Sequence, residues 1–269
     1  MIESMGTAGG RVESSSCLVL HGLGGGPYEL QPLIEALEGA LTRVRAPILP
    51  GHLGPGPVMP RSDWRDWEKA VLADFDELAS LDDQVAVVGF STGATLALRL
   101  ATLRPVARLV LLAPFFAIRH LGWLPFRPRA ILGPIARVIS SIPRRRPAAR
   151  DPEMRRWAAA RDRFQTFSLA ATASSLELIE QVEPTLVAIH APTLIIQGRR
   201  DTVVEPSRAD WLLARLGSTE KRLILMDRSD HLLALDHDRE RVISETLEFL
   251  LTPLTQRTAE PPTPPPRVS

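Results

Sequence analysis

The chain has 269 residues, 45% of them hydrophobic and 23% charged, with a formal net charge of +1. It is long enough for one substantial globular core, and no whole-chain field draws it to nucleic acid. Its single cysteine, Cys17, excludes an internal disulfide framework and a thiolate metal cluster.

Residues 1–15 are polar and rich in Gly and Ser. They read as a flexible N-terminus without the apolar stretch of a signal peptide. Nowhere does an apolar run approach the roughly 18 residues of a membrane span, so a soluble, cytoplasmic protein is expected. Short, nearly continuous β-type runs then recur at 18–20, 44–49, 85–88, 109–112, 193–196 and 223–226. Runs of this kind suit strands buried on both faces, as in a parallel sheet covered by helices. Helical patterns fill the gaps. One covers 27–37, with Pro27 at its first position. A second covers 62–81, with Ser62 as N-cap and apolar Trp67, Val71, Phe75 and Leu78 on one stripe. Further helices are predicted over 94–103, 207–216 and 238–251.

One interval breaks the alternation. Between Pro114 and Ala191 lie 78 residues without a parallel strand. Helical stretches near 131–139, 153–167 and 168–182 alternate there with proline-rich loops. A connection of this length inside a compact sheet is an inserted subdomain. The expected architecture is an α/β, doubly wound, mostly parallel sheet of about six to seven strands with an inserted helical cap. Residues 16–113 and 192–251 form its core and 114–191 the cap. The proline-rich tail, 252–269, is expected to be disordered.

The most specific local signal is Gly89-Phe90-Ser91-Thr92-Gly93, lying between a strand and a helix. A serine between two glycines at such a turn is a nucleophile elbow. Side chains at 89 and 93 would strike neighbouring backbone, and the serine is lifted above the sheet edge in a strained conformation. A serine hydroxyl needs a base to take its proton, and histidine has the appropriate pKa. Six histidines compete. His231 follows the last strand and so sits on the same rim as Ser91. His52, also at a strand end, is the weaker rival. His21 more naturally shapes its glycine-rich turn, and His120, His190 and His237 lie in helical or cap segments. Asp201, on the loop after the strand over 193–196, is the carboxylate expected to orient His231. Asp227, Asp230 and Asp236 read as residues that cap or solvate the histidine loop. The amide of Thr92 and an amide of the loop Gly22–Gly26, at Leu23, are the expected oxyanion donors. That loop lacks the ending of a P-loop and the spacing of a dinucleotide site.

Together, Leu20-His21-Gly22-Leu23-Gly24-Gly25, Leu49-Pro50-Gly51-His52, Gly89-Phe90-Ser91-Thr92-Gly93, Gly198-Arg199-Arg200-Asp201 and Ser229-Asp230-His231 resemble the α/β-hydrolase superfamily. Within it, the chain is similar to the bacterial carboxylesterase and monoacylglycerol lipase group (serine aminopeptidase-like hydrolases) over about residues 16–251. The resemblance implies the catalytic set Ser91, Asp201 and His231, oxyanion amides at Leu23 and Thr92, and hydrolysis of a small-molecule ester or lipid. Thioester, amide or C–C cleavage on the same triad, or a non-catalytic binding protein of this fold, are the alternatives. Two positions depart from the family pattern: Ala94 where a second glycine is common, and Asp230 where a glycine often precedes the histidine.

No cofactor motif is present, and no His, Asp or Glu cluster has metal-ligand spacing, so neither cofactor nor metal is expected. In the cap, Phe115, Phe116, Trp123, Leu124, Phe126 and Ile131 are expected to lid an acyl-chain pocket or to pack on the sheet. Residues 114–191 hold 12 arginines against six acids. The run Arg144-Arg145-Arg146 reads first as a solvated loop, and second as a patch favouring acidic substrates or weak contact with an anionic membrane surface.

Overall fold

A computed structural model of the chain describes residues 16–53, 57–119, 128–144, 146–161 and 164–252. In chain order its elements are β1 (Ser16–Leu20), a 3-10 turn over Pro27–Leu30 leading into α1 (Gln31–Ala40), and β2 (Arg43–Arg45). Then come α2 (Trp64–Ala79), β3 (Val85–Phe90), α3 (Thr92–Ala101) and β4 (Arg108–Leu112). The long connection carries α4 (Pro128–Val138), β5 (Ser141–Pro143), α5 (Pro152–Ala159), β6 (Thr166–Ser168) and α6 (Leu169–Val182). The chain closes with β7 (Thr193–Gly198), α7 (Ser207–Arg215), β8 (Lys221–Met226) and α8 (Arg239–Leu251).

Six strands form one parallel sheet in the order β2-β1-β3-β4-β7-β8. The four inner strands are buried along their whole length, and only the edge strands β2 and β8 are partly exposed. This is why the inner runs are continuously apolar rather than alternating. From β1 the chain moves outward to β2, then returns past β1 to β3. Right-handed crossovers in opposite directions put α1 and α2 on opposite faces, and α1 accordingly packs with α8 while α2 packs with α3. The reversal opens a crevice between the carboxyl ends of β1 and β3, where ligands bind in open α/β sheets. Cys17 is fully buried at 0% exposure, and burial raises its thiol pKa to about 12.

Several boundaries differ from the sequence reading for identifiable reasons. Pro27 opens a 3-10 turn, and the α-helix begins at Gln31. The second strand stops at Arg45 instead of reaching Leu49, because Pro47 has no amide to give an edge ladder. Asp63, not Ser62, caps α2, its carboxylate accepting the Arg65 amide at 2.9 Å. Between β4 and β7 the sequence suggests helices alone, yet β5 and β6 pair antiparallel with Ile142 opposite Phe167. Helix α5 therefore ends at Ala159 rather than near 167. The following chain is taken up by tertiary bonds, Gln165 donating to the Pro57 carbonyl at 2.7 Å and accepting from the Arg144 amide at 2.7 Å. The expected N-terminal and C-terminal tails fall outside the described residues, apart from Thr252.

Candidate active site

The turn between β3 and α3 is built by close backbone contacts. A Cβ on Gly89 would lie 2.5 Å from the Gly93 carbonyl oxygen, and one on Gly93 would lie 2.4 Å from that of Leu20. Only glycine fits at either place. Between them Ser91 adopts φ 55° and ψ −119°, a region costing a non-glycine residue about 1–3 kcal/mol. The conformation is held from both sides: the Ser91 amide donates to Leu112 at 2.9 Å, and the Ser91 carbonyl accepts from Phe115 at 3.2 Å. The strain is thus offset by bonds to the end of β4.

Ser91 Oγ lies 3.0 Å from His231 Nε2, and His231 Nδ1 lies 2.8 Å from Asp201 Oδ2. The three residues predicted from separate strand ends form one hydrogen-bonded row, nearly closed to solvent at 7%, 6% and 0% exposure. Asp201 Oδ1 accepts the amides of Val203 and Val204, each at 2.8 Å, and Oδ2 also accepts Gln197 Nε2 at 3.0 Å. Burial disfavours the carboxylate, but His231 and these donors outweigh it and hold the Asp201 pKa below its ordinary value. Burial likewise opposes the His231 cation. The Asp201 carboxylate, aided by Glu29 and Asp230, outweighs that and raises the imidazole pKa above its usual 6.5.

Two buried acids anchor the loop that carries His231. Asp230 Oδ1 accepts the His231 amide at 2.8 Å, the Thr202 amide at 2.8 Å and the Thr202 hydroxyl at 2.9 Å, tying the histidine loop to the aspartate loop. Asp236, fully buried, accepts four amides: Asp230 at 2.8 Å, Arg150 at 2.9 Å, Asp151 at 2.8 Å and His237 at 2.8 Å. Two of these belong to the long connection, which also takes the Leu232 amide on the Ala148 carbonyl at 3.0 Å. The sequence reading of these acids as loop residues misses how deeply they are buried. Asp227 alone is surface-bound, paired with Arg199 at 2.7 Å.

The other histidines are placed elsewhere. His21 Nδ1 meets its neighbour Gly22 and Nε2 accepts the Leu49 amide at 3.0 Å. Burial pushes its pKa down to about 3, so it is a neutral spacer between two loops. His52 packs edge-on between His21 and Trp67, at centroid distances of 5.1 and 5.5 Å, and burial lowers its pKa to about 4. His190 binds the Gly217 carbonyl at 3.1 Å, His237 is exposed, and His120 lies outside the described residues.

Leu23 follows Gly22, whose α-carbon faces the Ser91 side chain; a Cβ there would stand 3.2 Å from Ser91 Cβ. Thr92 is the first residue of α3, where an amide has no carbonyl within its own helix. The loop is held by an ion pair the sequence does not announce. Arg144, only 11% exposed in its side chain, reaches from the end of β5 to Glu29 at 3.1 Å and donates to the Gly24 carbonyl, with its guanidinium 4.9 Å above the Phe167 ring. The expectation that the arginine run is a solvated loop is therefore wrong for Arg144, which turns inward because a buried carboxylate waits there. It holds for exposed Arg146, and Arg145 lies outside the described residues. A lone acid three residues past the glycine turn, Glu29, is the signal that could have suggested this pair. Phe115 and Phe116 are buried, the latter 5.7 Å from the Trp211 ring. Trp123, Leu124, Phe126 and the Ile131 side chain lie outside the described residues. Arg119, also unanticipated, donates to the Asp201 carbonyl, while its amide binds Val203 at 2.9 Å. Among the described residues no group of His, Cys, Asp or Glu is arranged to hold a metal ion, and no helix is long and apolar enough to cross a membrane.

A parallel sheet presenting a serine, a histidine and an aspartate on one rim defines a class of hydrolase folds, and comparison with known proteins agrees. The model of the alpha/beta hydrolase family matches residues 17–245, and the chain belongs to that family. Among curated proteins it is 30% identical over 234 residues to a thermostable monoacylglycerol lipase of Bacillus sp. (strain H-257), covering 86% of this chain and 88% of that protein. It is 24% identical over 234 residues to a carboxylesterase of Bacillus subtilis (strain 168), covering 87% and 91%. Among solved structures, a lipolytic enzyme from the metagenome-derived LipS and LipT pair matches with a TM-score of 0.75 at 24% identity, covering 88% of this chain and 94% of that one. The Paleococcus ferrophilus monoacylglycerol lipase matches at 0.72 and 20% identity, covering 88% and 93%. These likenesses in structure speak for the fold.

Proposed function

We propose that the chain is a serine hydrolase of carboxylic esters, of the carboxylesterase or monoacylglycerol lipase type, acting through an acyl-enzyme on Ser91. The observation that carries this is the row Ser91 Oγ–His231 Nε2–Asp201, with 3.0 and 2.8 Å links. Kinship with a monoacylglycerol lipase and a carboxylesterase supports it.

In this reading His231 Nε2 takes the Ser91 proton as Oγ attacks the ester carbonyl. The carbonyl oxygen becomes an oxyanion beside the amides of Leu23 and Thr92. The C–O bond to the alcohol breaks as His231 returns its proton to the leaving oxygen, leaving an ester between the acyl group and Ser91. Water then repeats the sequence with His231 as base and releases the acid. Asp201 fixes the imidazole tautomer and steadies its cation. Neither metal nor cofactor has a step to perform. The connection between β4 and β7 acts as a cap that shapes what reaches Ser91, with residues 114–191 as its extent.

Hydrolysis of p-nitrophenyl esters of increasing acyl length, and of a monoacylglycerol, tests this. A short-chain optimum identifies an esterase, and turnover of long chains and monoacylglycerol identifies a lipase. Absence of turnover throughout, with no fluorophosphonate labelling of Ser91, overturns the reading in favour of a binding protein. Thioester, amide and C–C substrates in the same panel separate the alternatives on the same triad.

A further inference from the structure

Beside the loop that carries His231 lies an open, solvent-facing concavity. It has a volume of about 500 Å³ and is lined by Ala149, Arg150, Arg155, Arg200, Arg228, Asp230 and His237. This volume is in the range of small-molecule sites, roughly 300–1,000 Å³. Its chemistry is unlike an acyl pocket, since Ala149 is the only apolar residue in the wall. Four arginines and a histidine line it together with one acid; Arg155 is half-buried, and Arg150, Arg200, Arg228 and His237 are exposed. That carboxylate, on Asp230, is occupied with the Thr202 and His231 donors. None of the four guanidinium groups forms an ion pair among the described residues, whereas their neighbours Arg199 and Arg239 are both paired, with Asp227 and Asp151.

The position of the cluster matters as much as its charge. Arg150 and Arg155 come from the connection between β4 and β7. Arg200 comes from the loop after β7, and Arg228 and His237 from the chain after β8. The concavity therefore straddles the seam where the Arg150 and Asp151 amides dock on Asp236. Like charges gathered across a seam repel one another weakly where water screens them, and an anion placed between them turns that repulsion into attraction.

We propose that this cavity is a binding site for a phosphoryl group, carried by a soluble phosphorylated compound or by an anionic lipid head group. A phosphoryl group has three terminal oxygens and close to two charges at neutral pH, which several guanidinium forks can share. A single carboxylate would satisfy one fork and leave the others unmatched. The bound anion joins the connection to the sheet rim and lies outside the row formed by Ser91, His231 and Asp201.

The probe is inorganic pyrophosphate, titrated by calorimetry into the full chain at constant ionic strength. Saturable binding is expected, weakened at least about tenfold in R155Q/R228Q and unchanged in R43Q, which removes an exposed arginine far from the cavity. Circular dichroism and ester turnover of R155Q/R228Q serve as controls for folding, and both should match the parent. S91A should bind pyrophosphate as the parent does, so failure of the ester-hydrolase reading leaves this test intact. A second arm uses phosphatidylcholine vesicles with and without phosphatidic acid. Cosedimentation that depends on phosphatidic acid and on Arg155 and Arg228 assigns the site to a head group. Pyrophosphate binding without cosedimentation assigns it to a soluble phosphate. Equal pyrophosphate affinity in parent and R155Q/R228Q, or no saturable binding together with no cosedimentation, overturns the proposal.

Discussion

The sheet rim and the connection between β4 and β7 meet at Ser91 but are built on different principles. The rim is backbone geometry. Gly89, Gly93 and Gly198 sit where a Cβ would strike carbonyl oxygens at 2.4–2.6 Å, and Ser91 is strained in consequence. The connection shares the sheet's apolar core through Phe164, Leu176 and Ile179 and adds polar ties to it. Asp236 binds the Arg150 and Asp151 amides, Arg144 reaches Glu29 and Gly24, and Arg239 holds Asp151 at 3.0 Å. The rim's glycines thus set the backbone that presents Ser91, while the connection is bonded to the same row, Phe115 to the Ser91 carbonyl, Arg119 to the Asp201 carbonyl and Ala148 to the Leu232 amide.

The sharpest way to break this comparison is to delete the proposed nucleophile. Ser91→Ala should lower ester turnover by about 10⁴-fold or more while the far-ultraviolet spectrum and melting temperature stay near the parent's, since the strained backbone tolerates the smaller side chain. Asp201→Asn should cost about 10³–10⁴-fold in kcat, because the neutral amide no longer fixes the tautomer of His231. Turnover within tenfold of the parent in either variant would remove that residue from its proposed role.

Effects on the docking side should appear as stability. Asp236→Ala leaves one buried and three partly buried amides without this acceptor, and should cost about 3 kcal/mol in denaturant unfolding. Arg144→Met removes the ion pair between Arg144 and buried Glu29, and should cost about 2–3 kcal/mol, with a loss of kcat larger than any rise in KM if the Gly24 carbonyl positions the Leu23 amide. A change confined to KM would place Arg144 in substrate binding instead.

The smallest expected effect concerns pH. His231 must be neutral to act as base, and its pKa is raised by neighbouring carboxylates. The acidic limb of kcat/KM should therefore lie above the ordinary histidine value of about 6.5. Glu29→Gln removes one of the anions that raise it, so the limb should move to lower pH. A limb unmoved by this change would show that Glu29 does not act on His231 through its charge.

The two regions were also unequally legible. Strand ends could be read from short apolar runs and from Gly89, Gly93, Ser91, Asp201 and His231, because the constraints there are local: a glycine that must lack a Cβ, a residue one step past a strand. The contacts of the connection span large sequence separations, Arg144 with Glu29 and Asp236 with Arg150, and no periodicity encodes a buried ion pair. For the same reason β5 and β6 were invisible. Three-residue strands carry no alternation to read, and Pro143 argues against one of them.

The acceptor role of Asp236 has a further consequence, for local opening. Loops ordinarily exchange their amide hydrogens within the fastest class, because they open without disturbing the core. Here four loop amides from two segments 80 residues apart in number share one fully buried carboxylate. None can be exposed by a small fluctuation of its own loop without weakening the hold on the rest. The histidine loop and the segment over 148–151 should therefore exchange their amides together, as one slowly opening unit, although neither contributes a strand to the sheet.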